Sequence, residues 1–141
     1  MNETIENFGY PYSLVAEYTH WLVLLRLKQP TLGSLVLAAK SDVFAFGDLP
    51  GEAHGELKRV TAEIERALQG FVGYQKVNYL MLMMVDPHVH FHVIPRYEGD
   101  REFAGHRFMD AGWPALPQLG DAITLDRATQ EKLLADLKSR W

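Results

Sequence analysis

Three histidines alternate with apolar residues in the segment His88-Val89-His90-Phe91-His92-Val93-Ile94. Imidazole is the side chain that can act as a neutral nucleophile, an acid or a phosphate partner near pH 7. Half of the chain's six histidines fall in this five-residue window. Successive side chains of a β-strand point to opposite faces. An extended segment here therefore puts three imidazoles on one face and Val89, Phe91 and Val93 on the other. The rival chemistry is a metal site. His90 with His92, or His88 with His90, could reach one zinc ion from a strand. All three on one ion is harder, because residues i and i+4 lie about 13 Å apart along a strand. No cysteine completes such a site, and Asp86 and Glu98 only flank the segment. The expectation is no metal.

The elements that must position these rings follow from the rest of the chain. At 141 residues, with 48% hydrophobic and 23% charged residues, the chain fits one globular domain with a real core. A net charge of −4 argues against binding a nucleic-acid polymer, which calls for a basic stripe. It leaves room for a small anionic ligand held by a local positive patch. There are no cysteines, which removes disulfides and fits a reducing compartment. The longest wholly apolar run, Leu80 to Val85, is far too short for a membrane span. The N-terminus has neither a basic start nor an apolar stretch, so no signal peptide is expected. The expected location is the cytoplasm, with no membrane partner and no cofactor.

Met1 to Pro11 reads as a polar lead-in. Strands are expected at 13–18 and 20–27, the second containing the apolar run Trp21-Leu22-Val23-Leu24-Leu25. Gln29 to Gly33 reads as a turn, and 34–39 as a further strand. Pro50 opens a helix, with Glu52 and Glu56 near its positive end. Leu57, Val60, Ile64, Ala67, Leu68 and Phe71 form its apolar stripe, and Gly70 and Gly73 close it. The spacing predicts a strand over 77–85, a reversal at Asp86-Pro87, and the histidine strand over 88–95, antiparallel to its predecessor. Arg96 to Gly120 reads as a long irregular loop, of the kind that serves function or a partner surface. A closing helix is expected over 124–141, capped by Asp126, with Leu133, Leu134, Leu137 and Trp141 on its apolar face. The sum is an α+β fold, a mostly antiparallel sheet with one long helix and a C-terminal helix. His20, His54 and His106 read as surface residues, and Met81, Met83 and Met84 as core packing.

The run from His88 to Arg96 resembles the signature of the histidine triad (HIT) superfamily, His-φ-His-φ-His-φ-φ with φ apolar. Gly33 ahead of Leu35-Val36-Leu37, a middle helix, and an apolar strand leading into the histidines resemble the order of elements in that family. The resemblance covers roughly residues 13 to 100. It implies a HIT-like fold: a five-stranded mostly antiparallel sheet with a long central helix and a C-terminal helix. All 141 residues would form a single HIT domain, with its core at 13–100 and a C-terminal loop and helix at 101–141. It also implies a homodimer that binds nucleotides through the α-phosphate.

The implied chemistry is transfer of a nucleotidyl group. A neutral imidazole attacks an activated phosphorus, and the phosphoramidate so formed is labile to water, which splits one hard displacement into two easier ones. Neighbouring imidazoles also disfavour one another's protonation. By resemblance His90 is the nucleophile, His92 a phosphate contact, and His88 the holder of the site's hydrogen-bond network. Asn78, on the preceding strand, and Arg96, directly after the triad, are candidate substrate contacts. Arg26 falls near the position where well-studied branches carry an Asp or Asn against the ribose. It is a candidate contact to a phosphate or an acidic substrate, its alternative being a sheet-edge charge in solvent. Ser34 stands where many members have a histidine, and Met83-Met84-Val85 replaces a Gly-Gln step ahead of the triad. The implied function is a nucleotide hydrolase or nucleotidyl transferase acting on dinucleoside polyphosphates or nucleotide phosphoramidates. The alternatives are a nucleotide-binding module with little catalysis and a metal-dependent hydrolase.

Overall fold

The computed structural model describes residues 1–141. Nine strands and three α-helices run along the chain. Helix α1 (Glu3–Asn7) is followed by β1 (Leu14–Glu17), β2 (Trp21–Leu25), β3 (Lys28–Gln29) and β4 (Leu35–Ala39). Helix α2 (Gly51–Val72) leads to β5 (Lys76–Leu80) and β6 (His90–Arg96). Then come β7 (Asp100–Phe103), β8 (His106–Met109), β9 (Ile123–Thr124) and α3 (Arg127–Lys138). The main sheet has five strands in the order β1-β2-β4-β6-β5, and every neighbouring pair is antiparallel.

The two faces of this sheet bury different partners. Trp21, Val23, Leu25, Leu35, Leu37 and Val93 alternate onto one face and share a core with Val60, Ile64 and Leu68 of α2. Leu133, Leu134 and Leu137 of α3 belong to the same core. Burying each such side chain contributes about 1.5–3 kcal/mol. Leu22, Leu24, Val36 and Ala38 point to the other face, where Ile5 of α1 covers them together with Phe8, Tyr10 and Leu14. The closely packed turn into β4 needs Gly33. Its φ of +92° is one that side chains resist, and an added Cβ would lie 3.2 Å from Leu68 Cδ2.

Several expectations are met. Helix α2 starts after Pro50 and stops at Gly73, whose left-handed φ of 57° lets its N–H bond the Gln69 carbonyl. Gly70 lies inside the helix. Asp126 caps α3, its carboxylate accepting from the Thr129 N–H at 2.8 Å. Other expectations are corrected. Residues 1–11 are not a mere lead-in, because Asn2 caps α1 and the helix buries Thr4 and Ile5. The strand expected over 77–85 ends at Leu80. Beyond it Met83 takes φ 45°, and Leu82, Met84 and Val85 are exposed, so these residues leave the ladder rather than fill the core. The histidine strand begins at His90, and His88 lies just ahead of it. The stretch 96–120 is not structureless. Strands β7 and β8 form a hairpin there, turned by Ala104 and Gly105 at φ 50° and 80°. No helix is long and apolar enough to cross a membrane.

Candidate active site

Cross-strand register builds the site. His90 lies opposite Ala38 and His92 opposite Val36, and Leu22 and Leu24 continue those two rows onto β2. The small side chains of Val36 and Ala38 leave room for the two rings above the sheet. His90 and His92 stand edge to face, with ring centroids 5.1 Å apart. Phe8, at the end of α1, closes over both at 5.3 and 5.8 Å. The rings are 2% and 8% exposed, so the imidazoles sit below the surface at the floor of a cleft.

His88 is tied from a different direction. Its Nδ1 lies 2.8 Å from the Thr4 hydroxyl, and its backbone N–H donates to the same hydroxyl at 3.2 Å. Its ring meets Phe44 edge-on at 5.0 Å. Its carbonyl accepts from His90 Nδ1 at 2.7 Å. A carbonyl cannot donate, so His90 carries its proton on Nδ1. In the neutral ring Nε2 is then a free lone pair. A single backbone contact therefore selects the tautomer that a nucleophile needs.

The cleft encloses about 260 Å³ and is walled by Phe8, Met83, Met84 and Leu119, with Arg26, Asp86, His90 and His92 as its polar groups. Burial, with smaller contributions from the neighbouring His90 and Arg26, holds His92 well below the usual imidazole range, at about 4. His92 is therefore neutral at pH 7. Two buried side-chain atoms lack a hydrogen bond, Arg26 Nε and His92 Nδ1. Both belong to residues of this cleft. Burial also holds the Arg26 guanidinium below its ordinary range.

Arg26 is not a sheet-edge charge. It follows β2, an interior strand, and its backbone is fixed by Gln29, whose amide donates to the carbonyls of Arg26 and Ser34. Asn78 and Arg96 stand elsewhere. They line a second, larger cleft along β5 with Trp113 to Pro117. Arg96 is 4% exposed, and its guanidinium donates to Asp110 at 2.6 and 3.1 Å, to Asn78 at 2.7 Å and to the Ala115 carbonyl at 2.8 Å. The structure thus places Arg96 in the second cleft, paired with Asp110, and not beside the triad. Ser34 is spent on its turn, donating to the Thr31 carbonyl. No three His, Asp or Glu side chains converge on a point that could hold a metal ion.

Reading the sequence missed Thr4, Phe8 and Leu119. Asn2, a capping residue three positions before the buried Ile5, was the available signal for α1. Nothing in the sequence ties Leu119 to the cleft.

No family model matches the sequence. The chain is 36% identical over 103 residues to an uncharacterised HIT-like protein of Methanocaldococcus jannaschii, covering 70% of this chain and 79% of that protein. Among solved structures, a histidine triad protein of Sinorhizobium meliloti superposes with a TM-score of 0.77 at 20% identity, over 100% of this chain and 96% of that one. A hypothetical histidine triad nucleotide-binding protein of Sulfolobus tokodaii superposes at 0.69 with 17% identity, over 97% and 88%. The latter two show the fold. The identity and coverage of the archaeal relative, with the HIT fold, establish that this chain belongs to the histidine triad family.

Proposed function

We propose that the protein is a nucleotide hydrolase or nucleotidyl transferase working through a nucleotidyl-histidine intermediate on His90, with dinucleoside polyphosphates or nucleotide phosphoramidates as its substrate class. The observation that carries this reading is the 2.7 Å contact from His90 Nδ1 to the His88 carbonyl, which leaves Nε2 as the lone pair. In the first step Nε2 attacks the α-phosphorus. A P–N bond forms, and the bond to the leaving group breaks with its electron pair. The leaving group takes a proton from solvent, since the wall on that side is the apolar run Met83, Met84 and Val85. The Nδ1–H keeps its bond to the His88 carbonyl and disperses the positive charge that develops on the ring. In the second step water attacks phosphorus and releases a proton to solvent, the P–N bond breaks, and the lone pair returns to Nε2.

His92 serves as a phosphate contact, neutral at pH 7 and with an unmet Nδ1. His88 positions His90, and Arg26 supplies positive charge. Asn78 has its carbonyl oxygen engaged by Arg96, so only its amide is left for a ligand of the second cleft. The same reading treats all 141 residues as one domain that works as a cytoplasmic homodimer. The apolar wall where leaving-group contacts would sit favours a second reading, a nucleotide-binding module with slow turnover.

Hydrolysis of a nucleotide phosphoramidate, assayed with and without chelator, tests the proposal. Turnover that resists chelator and is lost in His90→Ala supports it. Activity abolished by chelator and restored by zinc assigns the reaction to a metal hydrolase instead. Nucleotide monophosphate binding without turnover supports the binding module.

A further inference from the structure

Arg26 is the cation of the triad cleft that no carboxylate neutralises. The other candidate arginine, Arg96, spends its charge on Asp110. Arg26 Nη1 donates only to the Lys28 carbonyl, at 2.8 Å, and its Nε is buried without any partner. Asp86, across the cleft, is held instead by the Asn7 amide at 3.0 Å. A half-buried guanidinium left this way is costly, and an anion is what offsets the cost.

Its position says where that anion lies. Arg26 and Phe8 line two adjoining clefts, the one that holds His90 and His92 and a second of about 250 Å³ completed by Asn7, Leu27 and Lys28. Lys28 forms no ion pair and adds a second positive charge there. The Arg26 N–H bonds the Ser34 carbonyl, which extends the β2–β4 register by one row. With Leu35 opposite Val93, that row reaches Ile94, four residues past His90. Four residues are about 13 Å of strand, part of which the Arg26 side chain spans back toward the cleft it shares with His90. A phosphate next to the attacked one, sharing its bridging oxygen, stays close to His90. A phosphate several atoms away reaches Arg26.

We propose that the two clefts form one substrate groove with two anion positions. The attacked phosphorus sits at His90 and a second, non-adjacent phosphate of the same molecule sits at Arg26, assisted by Lys28. The preferred substrates are then nucleotides that carry a further phosphate away from the scissile one, as on the ribose. This rests on the nucleotide reading given above.

Calorimetric affinities of AMP, ADP, adenosine 3′,5′-bisphosphate and adenosine 2′,5′-bisphosphate, measured on the full chain, test it. At least one bisphosphate is expected to bind roughly tenfold or more tighter than AMP, consistent with a charge-assisted pair, and ADP is expected to show little of that gain. In Arg26→Gln the bisphosphate-to-AMP ratio falls to near one, and in Arg26→Lys part of it remains. Should Arg26→Gln fail to fold, Lys28→Gln, at an exposed site, still lowers the ratio, and added salt lowers it in the wild type. A ratio near one in the wild type, with AMP bound, overturns the second anion position and leaves the nucleotide reading standing. A full gain with ADP, or a ratio that survives Arg26→Gln, overturns it as well. Failure of all four ligands to bind overturns both.

Discussion

The Thr4 hydroxyl lies 2.8 Å from His88 Nδ1, joining residues 84 positions apart. Through it the short helix α1 holds the residue whose backbone carbonyl sets the tautomer of His90. Thr4 is 1% exposed, on the face of α1 where Ile5 packs against the sheet. Thr4→Val keeps the shape and removes the hydroxyl. We expect kcat to fall about tenfold, equivalent to about 1.4 kcal/mol and in the range of one hydrogen bond, with KM little changed. Thr4→Ser restores most of it. Nitrogen shifts of the His88 ring, read by NMR, should change in the valine variant and return in the serine variant. Unaltered ring shifts with unaltered kcat would remove Thr4 from the site.

His92 is neutral in the fold down to about pH 4, whereas in the unfolded chain it titrates near 6.5. The unfolded state therefore binds the extra proton first as pH falls. His92 contributes stability that is fully present above about pH 6.5, is lost progressively on the way to pH 4, and changes no further below. Thermal unfolding followed from pH 7 to 4 should show a falling Tm, with a smaller fall in His92→Gln. A His92 resonance titrating near 6.5 in the folded protein contradicts this.

Phe8 is the cover that keeps water from both rings. In Phe8→Ala the His92 titration should move up toward the ordinary imidazole value, because burial is the largest cause of its depression. NMR titration of the variant checks it. A midpoint that stays at about 4 would mean that the sheet alone desolvates the ring.

The Arg96–Asp110 pair is a structural clamp between β6 and the loop after β8. Its carboxylate also accepts from the backbone N–H groups of Tyr97 and Gly112. Asp110→Ala strands a buried guanidinium and should cost about 3–5 kcal/mol in urea unfolding. The double variant Arg96→Met, Asp110→Ala should lose less than the two single losses added together, since it leaves no unpaired charge. A single-variant loss below about 1 kcal/mol would show that the pair is wetter than its geometry implies.

The regular parts of this molecule were legible because each carries a local signal. The α2 stripe from Leu57 to Phe71 repeats at helical spacing, and Val89, Phe91 and Val93 alternate onto the core as expected. The alternation of the three histidines was legible for the same reason. Contacts set by tertiary packing were not legible. Arg96 follows His92 in sequence by four residues, yet its direction is set by Asp110, fourteen positions on. Met83 belongs to an apolar run that reads as strand, but the left-handed turn at that residue takes the run off the sheet and makes it a wall of the cleft. The Ala104-Gly105 hairpin was missed because its strands are short and charged. Thr4 and Phe8 act across the whole fold, and no spacing rule connects them to histidines more than eighty residues away.

Intact-mass spectrometry after mixing the protein with a nucleotide phosphoramidate or a dinucleoside polyphosphate tests the central assignment most directly. The account predicts a mass increase of one nucleotidyl group on the wild-type chain, acid-labile as a P–N bond is, and its absence in His90→Ala. An adduct that persists in His90→Ala, or the lack of both adduct and turnover across a broad panel of such substrates, would contradict it.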